Sequence, residues 1–232
     1  MQDTRSIRVV VADDHTVVRE GLISIVNTIP GMSVIAQARS WSAAIAKIDS
    51  LRPEVAMLDL RMPEMEATEG VALIRRTCPA VRIVLISAFD LEEDIYSVMR
   101  AGANGFLVKD CPRQEFQLCL RAVLQGKAWL SPASAAKLTA RMNAPQMTRC
   151  QREVLALMAT GKSNKEVSAA MNIAEGTVKI HVNQIFRKLG VGGRTAAVTK
   201  ALERGLVQLS GLPDTAAIEK LLSRTISPPR SR

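Results

Sequence analysis

Short apolar runs alternate with longer amphipathic stretches through the first half of the chain. IRVVVA (7–12), residues 33–38, VAML (55–58), RIVLI (82–86) and GFLV (105–108) are short and rich in Val and Ile. They read as strands buried on both faces. Between and after them the periodicity predicts helices over 16–28, 42–51, about 69–77, 92–101 and 113–125, with turns at Pro30-Gly31, Pro53, Pro79, Gly102 and Pro112. Five βα units in succession imply an α/β fold, a doubly wound five-stranded parallel sheet. From Gly126 the strand pattern stops. Ser131-Pro132 opens a short Ala-rich helix to about Arg141, and NAPQM (143–147) reads as a hinge. Residues 149–160, 164–171, 175–189 and 194–204 read as four short helices, with one more over 214–223 before a terminal SPPRSR. The chain therefore divides into 1–125, a linker with a short helix at 126–147, an all-α four-helix unit at 148–209 and a tail at 210–232.

Four of the five strands end where chemistry can begin. Asp13 and Asp14 follow the first strand, Asp59 the third, Ser87 the fourth and Lys109 the fifth. In an open α/β sheet the ligand crevice lies outside the carboxyl ends of the strands. Three carboxylates, a hydroxyl and an ammonium there form a site for a hard cation, Mg²⁺ by its oxygen preference, and a phosphoryl group. So many like charges need a cation beside them. Asp59 can attack a phosphoryl donor, Lys109 can neutralise charge, and Ser87 can donate to the transferred group. Singly, Asp14 can equally be a helix cap and Lys109 a solvated strand-end charge; the coincidence at all these strand ends favours the site.

Charge separates the halves. Residues 1–125 carry 14 Lys/Arg against 16 Asp/Glu, a balance of −2, while residues 126–232 carry 17 against 6, a balance of +11. A basic module on a near-neutral one suits a polyanion, and 3% aromatic content favours duplex DNA over stacked single strands. On a helical wheel of 175–189, Val182, Ile185, Phe186 and Leu189 fall within about 80° of Val178 and form a core stripe. Thr177, Asn183, Gln184 and Arg187 fall opposite, with Ile180 among them. In a major groove Ile180 can meet a thymine methyl, Lys179 and Asn183 can reach base edges, and His181, Arg187 and Lys188 can meet phosphates. Ile180 can alternatively pack against a neighbouring helix. With helix 164–171 and the short 172–174 connection, a helix-turn-helix results.

VADDH (11–15), LDLRMP (58–63), ISA (86–88) and GANGFLVK (102–109) resemble the receiver domain of two-component response regulators. REVL (152–155), GKSNKEV (161–167), GTVKIHV (176–182) and KLGV (188–191) resemble the LuxR-type DNA-binding domain over about 147–207. Together they resemble a NarL/FixJ-type response regulator. The resemblance implies that Asp59 accepts phosphate from a sensor histidine kinase. It implies that Asp14, Asp59 and the backbone carbonyl of Arg61 ligate Mg²⁺, with Asp13 nearby through water, and that Ser87 and Phe106 form the switch pair. It implies base readout by Lys179, Ile180 and Asn183, and a homodimer through helix 194–204 or a receiver face; RNA polymerase is a candidate further partner. One departure stands out. The family places a glycine eight residues after the phosphoacceptor, where this chain has Ala67, and the glycine is Gly70. The loop after the third strand therefore reads as lengthened by about three residues over 64–70.

Composition narrows the remaining classes. No apolar run approaches the ~20 residues of a membrane span, and the N-terminus lacks a signal-peptide pattern. Cys78, Cys111, Cys119 and Cys150 are scattered and suit reduced thiols in a cytoplasmic protein, while two histidines make a zinc site improbable. The chain is expected to be a transcription factor and not an enzyme. The main rival is a phosphorylation-independent DNA binder whose first domain serves protein contacts. A phosphatase using an aspartyl-phosphate would want an acid where Arg61 stands.

Overall fold

The computed structural model describes residues 6–207, so the helix read over 214–223 and the tail at 210–232 lie outside the described residues. Five strands, β1 (Ile7–Ala12), β2 (Met32–Ala38), β3 (Val55–Asp59), β4 (Arg82–Ser87) and β5 (Gly105–Val108), pair in parallel in the order β2-β1-β3-β4-β5. Helices α1 (Thr16–Asn27), α2 (Trp41–Leu51), α3 (Ala67–Thr77), α4 (Glu92–Ala101) and α5 (Arg113–Leu124) are the crossovers and the last return. The strand order reverses at β1, so the carboxyl ends of β1 and β3 open a crevice at the switch point.

Strand residues alternate between two cores because side chains alternate along a strand. Val10, Ala12, Ala56, Leu58, Ile83, Leu85 and Phe106 point to the face covered by α2, α3 and α4. Val9, Val11, Val55, Met57, Val84, Ile86 and Leu107 point to the face covered by α1 and α5. Burial on both sides explains why the strands read as unbroken apolar runs.

The expectation of a lengthened loop over 64–70 gives way to an earlier helix start. Helix α3 begins at Ala67, so Gly70 is buried within its first turn. A Cβ on Gly70 would lie 2.3 Å from Trp41 Cε3, and the fully buried indole is what requires glycine there. Ahead of the helix, Glu64 sits at φ +86°, a conformation a non-glycine residue adopts only when held. Its carboxylate accepts from the Ser42 N–H (3.2 Å) and hydroxyl at the start of α2.

Helix α6 (Pro132–Asn143) follows the sheet and belongs to the first compact unit, which runs to Met142. Trp129 extends the sheet edge, its N–H donating to Asn104 O at 2.9 Å and its carbonyl accepting from Phe106 N–H at 3.3 Å. The second unit holds α7 (Arg149–Ala159), α8 (Asn164–Met171), α9 (Glu175–Leu189) and α10 (Arg194–Glu203). Val154, Leu155, Val167, Val178, Ile185, Leu189 and Ala197 are its core. Capping boxes start α7 (Thr148 with Gln151) and α8 (Ser163 with Glu166), and Asn172 in the left-handed region ends α8. Among the described residues no helix is long and apolar enough to cross a membrane.

Candidate functional site

Parallel pairing of β1 with β3, in register from Val9–Val55 to Ala12–Leu58, brings the residues after both strands side by side. Ligand atoms of Asp13, Asp14, His15 and Asp59 lie within 4.8 Å of one another. Asp13 and Asp59 are buried, whereas Asp14 and His15 are exposed. Lys109, delivered from the end of β5, reaches across with Nζ 2.9 Å from Asp13 Oδ2 and 3.1 Å from Asp59 Oδ1. His15 turns toward the solvent side, Nδ1 2.8 Å from Asp14 Oδ1.

Electrostatics follow from crowding. Burial raises Asp59 from an ordinary 3.8 to about 6, with the Asp13 charge adding to the rise and Lys109 opposing it. For Lys109 burial works downward, but the close contact with Asp13 and the charge of Asp59 raise it overall, which keeps it cationic. A single ammonium faces two buried carboxylates and a third at the rim. Asp13 Oδ2 is buried without a hydrogen bond of good geometry, so its contact to Lys109 is an ion pair that leaves acceptor capacity. Three carboxylates at this spacing, with His15 turned to the rim, suit a small hard cation with retained waters. The residues therefore fit Mg²⁺.

Supporting groups hold this arrangement. Asp13 Oδ1 accepts from the His15 N–H at 2.8 Å. The buried Arg19 donates from Nη1 to the Asp13 carbonyl at 2.7 Å and from Nε to Gln37 Oε1 at 2.9 Å. Leu60 N–H donates to Ile86 O at 2.7 Å, fixing the segment that carries Arg61. Arg61 sends its guanidinium to α4, Nη2 2.8 Å from Asp94 Oδ2. Burial raises the Asp94 carboxyl against the opposing pull of Arg61. Ser87 is buried, its Oγ accepting from Phe89 N–H at 3.3 Å, and Phe106 is fully buried in the core beneath α4. Sequence reasoning missed Arg19 and the Arg61–Asp94 pair. Arg19 had a signal: it shares the buried stripe of α1 with Leu22 and Val26.

The second unit carries its own candidate surface on α9. Ile180 is 57% exposed, and Lys179, Asn183 and Arg187 are exposed beside it. Lys179 Nζ pairs with Glu175 Oε1 at 3.0 Å one turn back, and Thr177 is half-buried. His181 and Lys188 turn toward α7. His181 Nε2 lies 3.3 Å from Cys150 Sγ, with Nδ1 buried and without a hydrogen-bond partner. Lys188 Nζ donates to Gln151 Oε1 at 2.7 Å and to Gln146 O at 2.5 Å. Gln151 in turn donates to Gln184 Oε1 at 2.8 Å, so α9 is keyed to the start of α7. The Gln151–Gln184 bond was not anticipated from the sequence.

Known proteins share both halves. Residues 9–121 match the response regulator receiver domain, and residues 145–201 match the luxR family of bacterial regulatory proteins. The probable transcriptional regulatory protein NarL of Mycobacterium tuberculosis is 34% identical over 207 residues, covering 87% of this chain and 96% of that protein. Response regulator protein VraR of Staphylococcus aureus is 30% identical over 208 residues, covering 88% and 100%. Among solved structures, the response regulator ChrA of a heme-sensing two-component system has 33% identity and a TM-score of 0.53 over 87% of this chain and 99% of its own. RcsB from Salmonella enterica serovar Typhimurium, bound to a promoter with a phosphomimetic beryllofluoride, has a TM-score of 0.68 over 85% of this chain and 98% of its own. At 21% identity that is a likeness of fold alone.

Proposed function

The chain belongs to the two-component response regulators that join a receiver domain to a LuxR-type DNA-binding domain, and we propose that Asp59 is the phosphoacceptor controlling its action on DNA. The carrying observation is Lys109 Nζ placed between Asp13 and Asp59, at 2.9 and 3.1 Å, in a crevice otherwise dominated by carboxylates. A carboxylate oxygen of Asp59 attacks the phosphorus of a kinase phosphohistidine. The phosphorus–nitrogen bond breaks, and the imidazole leaves with its electron pair and takes a proton from solvent. Asp13, Asp14, Asp59 and the Arg61 carbonyl would hold Mg²⁺, which supplies positive charge for the transferring oxygens. Lys109 supplies the remaining compensation, and the Ser87 hydroxyl, which accepts from the Phe89 N–H and so retains its own proton, donates to a phosphoryl oxygen.

The product carries about −1.5 to −2 charges on its phosphoryl group where the Asp59 carboxylate carried at most one, and it draws on the loops after β4 and β5 from the carboxyl end of the central strand. Lys179, Ile180 and Asn183 meet base edges, with Thr177 and Arg187 beside them, while His181 and Lys188 serve mainly to set α9 on α7. Two copies joined through α10 or a receiver face would read two half-sites about one helical turn apart. The domain limits 1–125, 148–209 and the linker between them, and a cytoplasmic location, belong to the same proposal.

Footprinting of promoter DNA with and without a small-molecule phosphodonor tests receiver and reader together. Protection strengthened by the donor in wild type, and unaffected by it in Asp59→Asn, is the expected result. Phosphate uptake by Asp59→Asn at the wild-type level would assign the acceptor elsewhere.

A further inference from the structure

We propose that Ser40, Trp41 and Ser42, at the start of α2, are positioning residues for the loop after β3, and that Glu64 is the point by which they hold it. What the hold acts on, the Arg61 carbonyl as a Mg²⁺ ligand, rests on the function proposed above; the hold itself stands on geometry.

The loop turns at Pro63-Glu64. Proline fixes its own φ at about −65°, so the course of the turn is left to Glu64, which sits at φ +86°, where turns take glycine. An L side chain stays in that region only where its surroundings hold it. Three donors at the start of α2 supply the hold. Ser42 donates to Glu64 Oε2 from its N–H at 3.2 Å and from its hydroxyl, and the Ser40 hydroxyl adds a third bond. Bonds from the Ser42 hydroxyl, the Ser40 hydroxyl and the Ser42 amide keep the Glu64 carboxyl below its ordinary 4.5. Trp41, between the two serines, is fully buried against the Gly70 position in the first turn of α3. Three consecutive residues therefore grip both ends of 64–70, the stretch in which the spacing of this chain departs from the family pattern.

The grip bears on the acidic site through the backbone. Leu60 N–H is tied to Ile86 O at 2.7 Å, Met62 is 6% exposed, and Met65 packs against the core that holds Leu58 and Trp41. Arg61 sends its side chain to Asp94, so its carbonyl is aimed by the chain on either side, fixed at Leu60 before it and at the Pro63-Glu64 turn after it. Were Glu64 to fall to negative φ, the chain before and after it would diverge from its present course, and Met62 and Met65 could not both keep their seats. Charge and geometry separate cleanly here. Ser42 and Glu64 are both exposed, so replacing them empties no core. Ser42 is neutral, so its loss weakens the hold without changing the field at the carboxylates.

Calorimetric titration of the unphosphorylated full chain with Mg²⁺ tests this. Ser42→Ala and Glu64→Ala should each weaken Mg²⁺ binding about three- to tenfold, and amide hydrogen exchange across 62–66 should quicken in both. Glu64→Gly, which takes the turn without being held, should bind within about twofold of wild type, and adding Ser42→Ala to it should change nothing further. Equal affinity in wild type, Ser42→Ala and Glu64→Ala would overturn the positioning role. A loss in Glu64→Gly as large as in Glu64→Ala, with Ser42→Ala unaffected, would trace the effect to lost charge and overturn it as well. Either result leaves the proposed function intact, because wild type still binds the ion. A wild-type chain that takes up no Mg²⁺ would overturn both.

Discussion

Replacing Asp59 with asparagine should stabilise the metal-free protein. Asp59 is 2% exposed, and its carboxyl is raised to about 6 from 3.8 by burial first and by Asp13 second. Each pKa unit corresponds to 1.36 kcal/mol, so ionising Asp59 at pH 7.5 costs the folded state up to about 3 kcal/mol. Local relaxation reduces this, and a gain of about 1–2 kcal/mol for Asp59→Asn is expected, or roughly 3–8 °C in Tm. The pH dependence has a definite sign. With the folded value above the unfolded one, the folded state holds the extra proton between them, and wild-type stability falls as pH rises from about 4 to above 6. The gap between variant and wild type should therefore be absent below pH 4 and fully open by about pH 7. Magnesium should close it from the other side. An ion bound at a hundred times its Kd stabilises wild type by about 2.7 kcal/mol, and most of that should vanish in the variant. Thermal melts in a chelator and in excess Mg²⁺, from pH 3.5 to 8, measure all of this. A variant that melts at or below wild type in chelator across the whole range would show that the charge of Asp59 is not a burden on the fold, and the reasoning fails.

Three further outcomes follow from local geometry. Gly70→Ala places a methyl 2.3 Å from Trp41 Cε3 and should cost about 1–3 kcal/mol in urea unfolding; an unchanged midpoint would mean that the indole moves freely. Lys179→Ala and Ile180→Ser should each weaken binding to a specific operator by about 1–3 kcal/mol while leaving binding to unrelated duplex nearly unchanged, as titrated by gel shift. Equal loss on every sequence would move Lys179 to backbone contact. Burial works upward on Glu54, but bonds from the Arg8 amide and guanidinium outweigh it and hold the carboxyl below its ordinary 4.5. The stabilisation is present above pH 4.5 and lost as pH falls through the folded value, so wild type should lose its advantage over Glu54→Gln on acidification to pH 3 in thermal melts.

What could be read in advance depended on whether a residue's role is set by its neighbours in sequence or by its neighbours in space. Strands β1, β3, β4 and β5 announced themselves because both faces are buried, and their ends located Asp13, Asp59, Ser87 and Lys109 without knowledge of the packing. Position on α9 was legible to the same degree. Ile180 and Arg187, opposite Val178 on the wheel, are exposed, whereas His181 and Lys188 lie about 60–80° from it and face α7 through Cys150 and Gln151. The angle held that information, and assigning His181 and Lys188 to phosphate contact overlooked it. The start of α3 depended on contact in space. Spacing from the phosphoacceptor suggests extra loop at Gly70, but Trp41, 29 positions earlier, requires the glycine inside the helix. Seating of α6 was equally hidden, since nothing in its own sequence marks Lys137 and Arg141 until Asp90, Glu93 and Tyr96 are brought beside them. Those contacts join residues 45–48 positions apart, a separation at which local periodicity carries no signal.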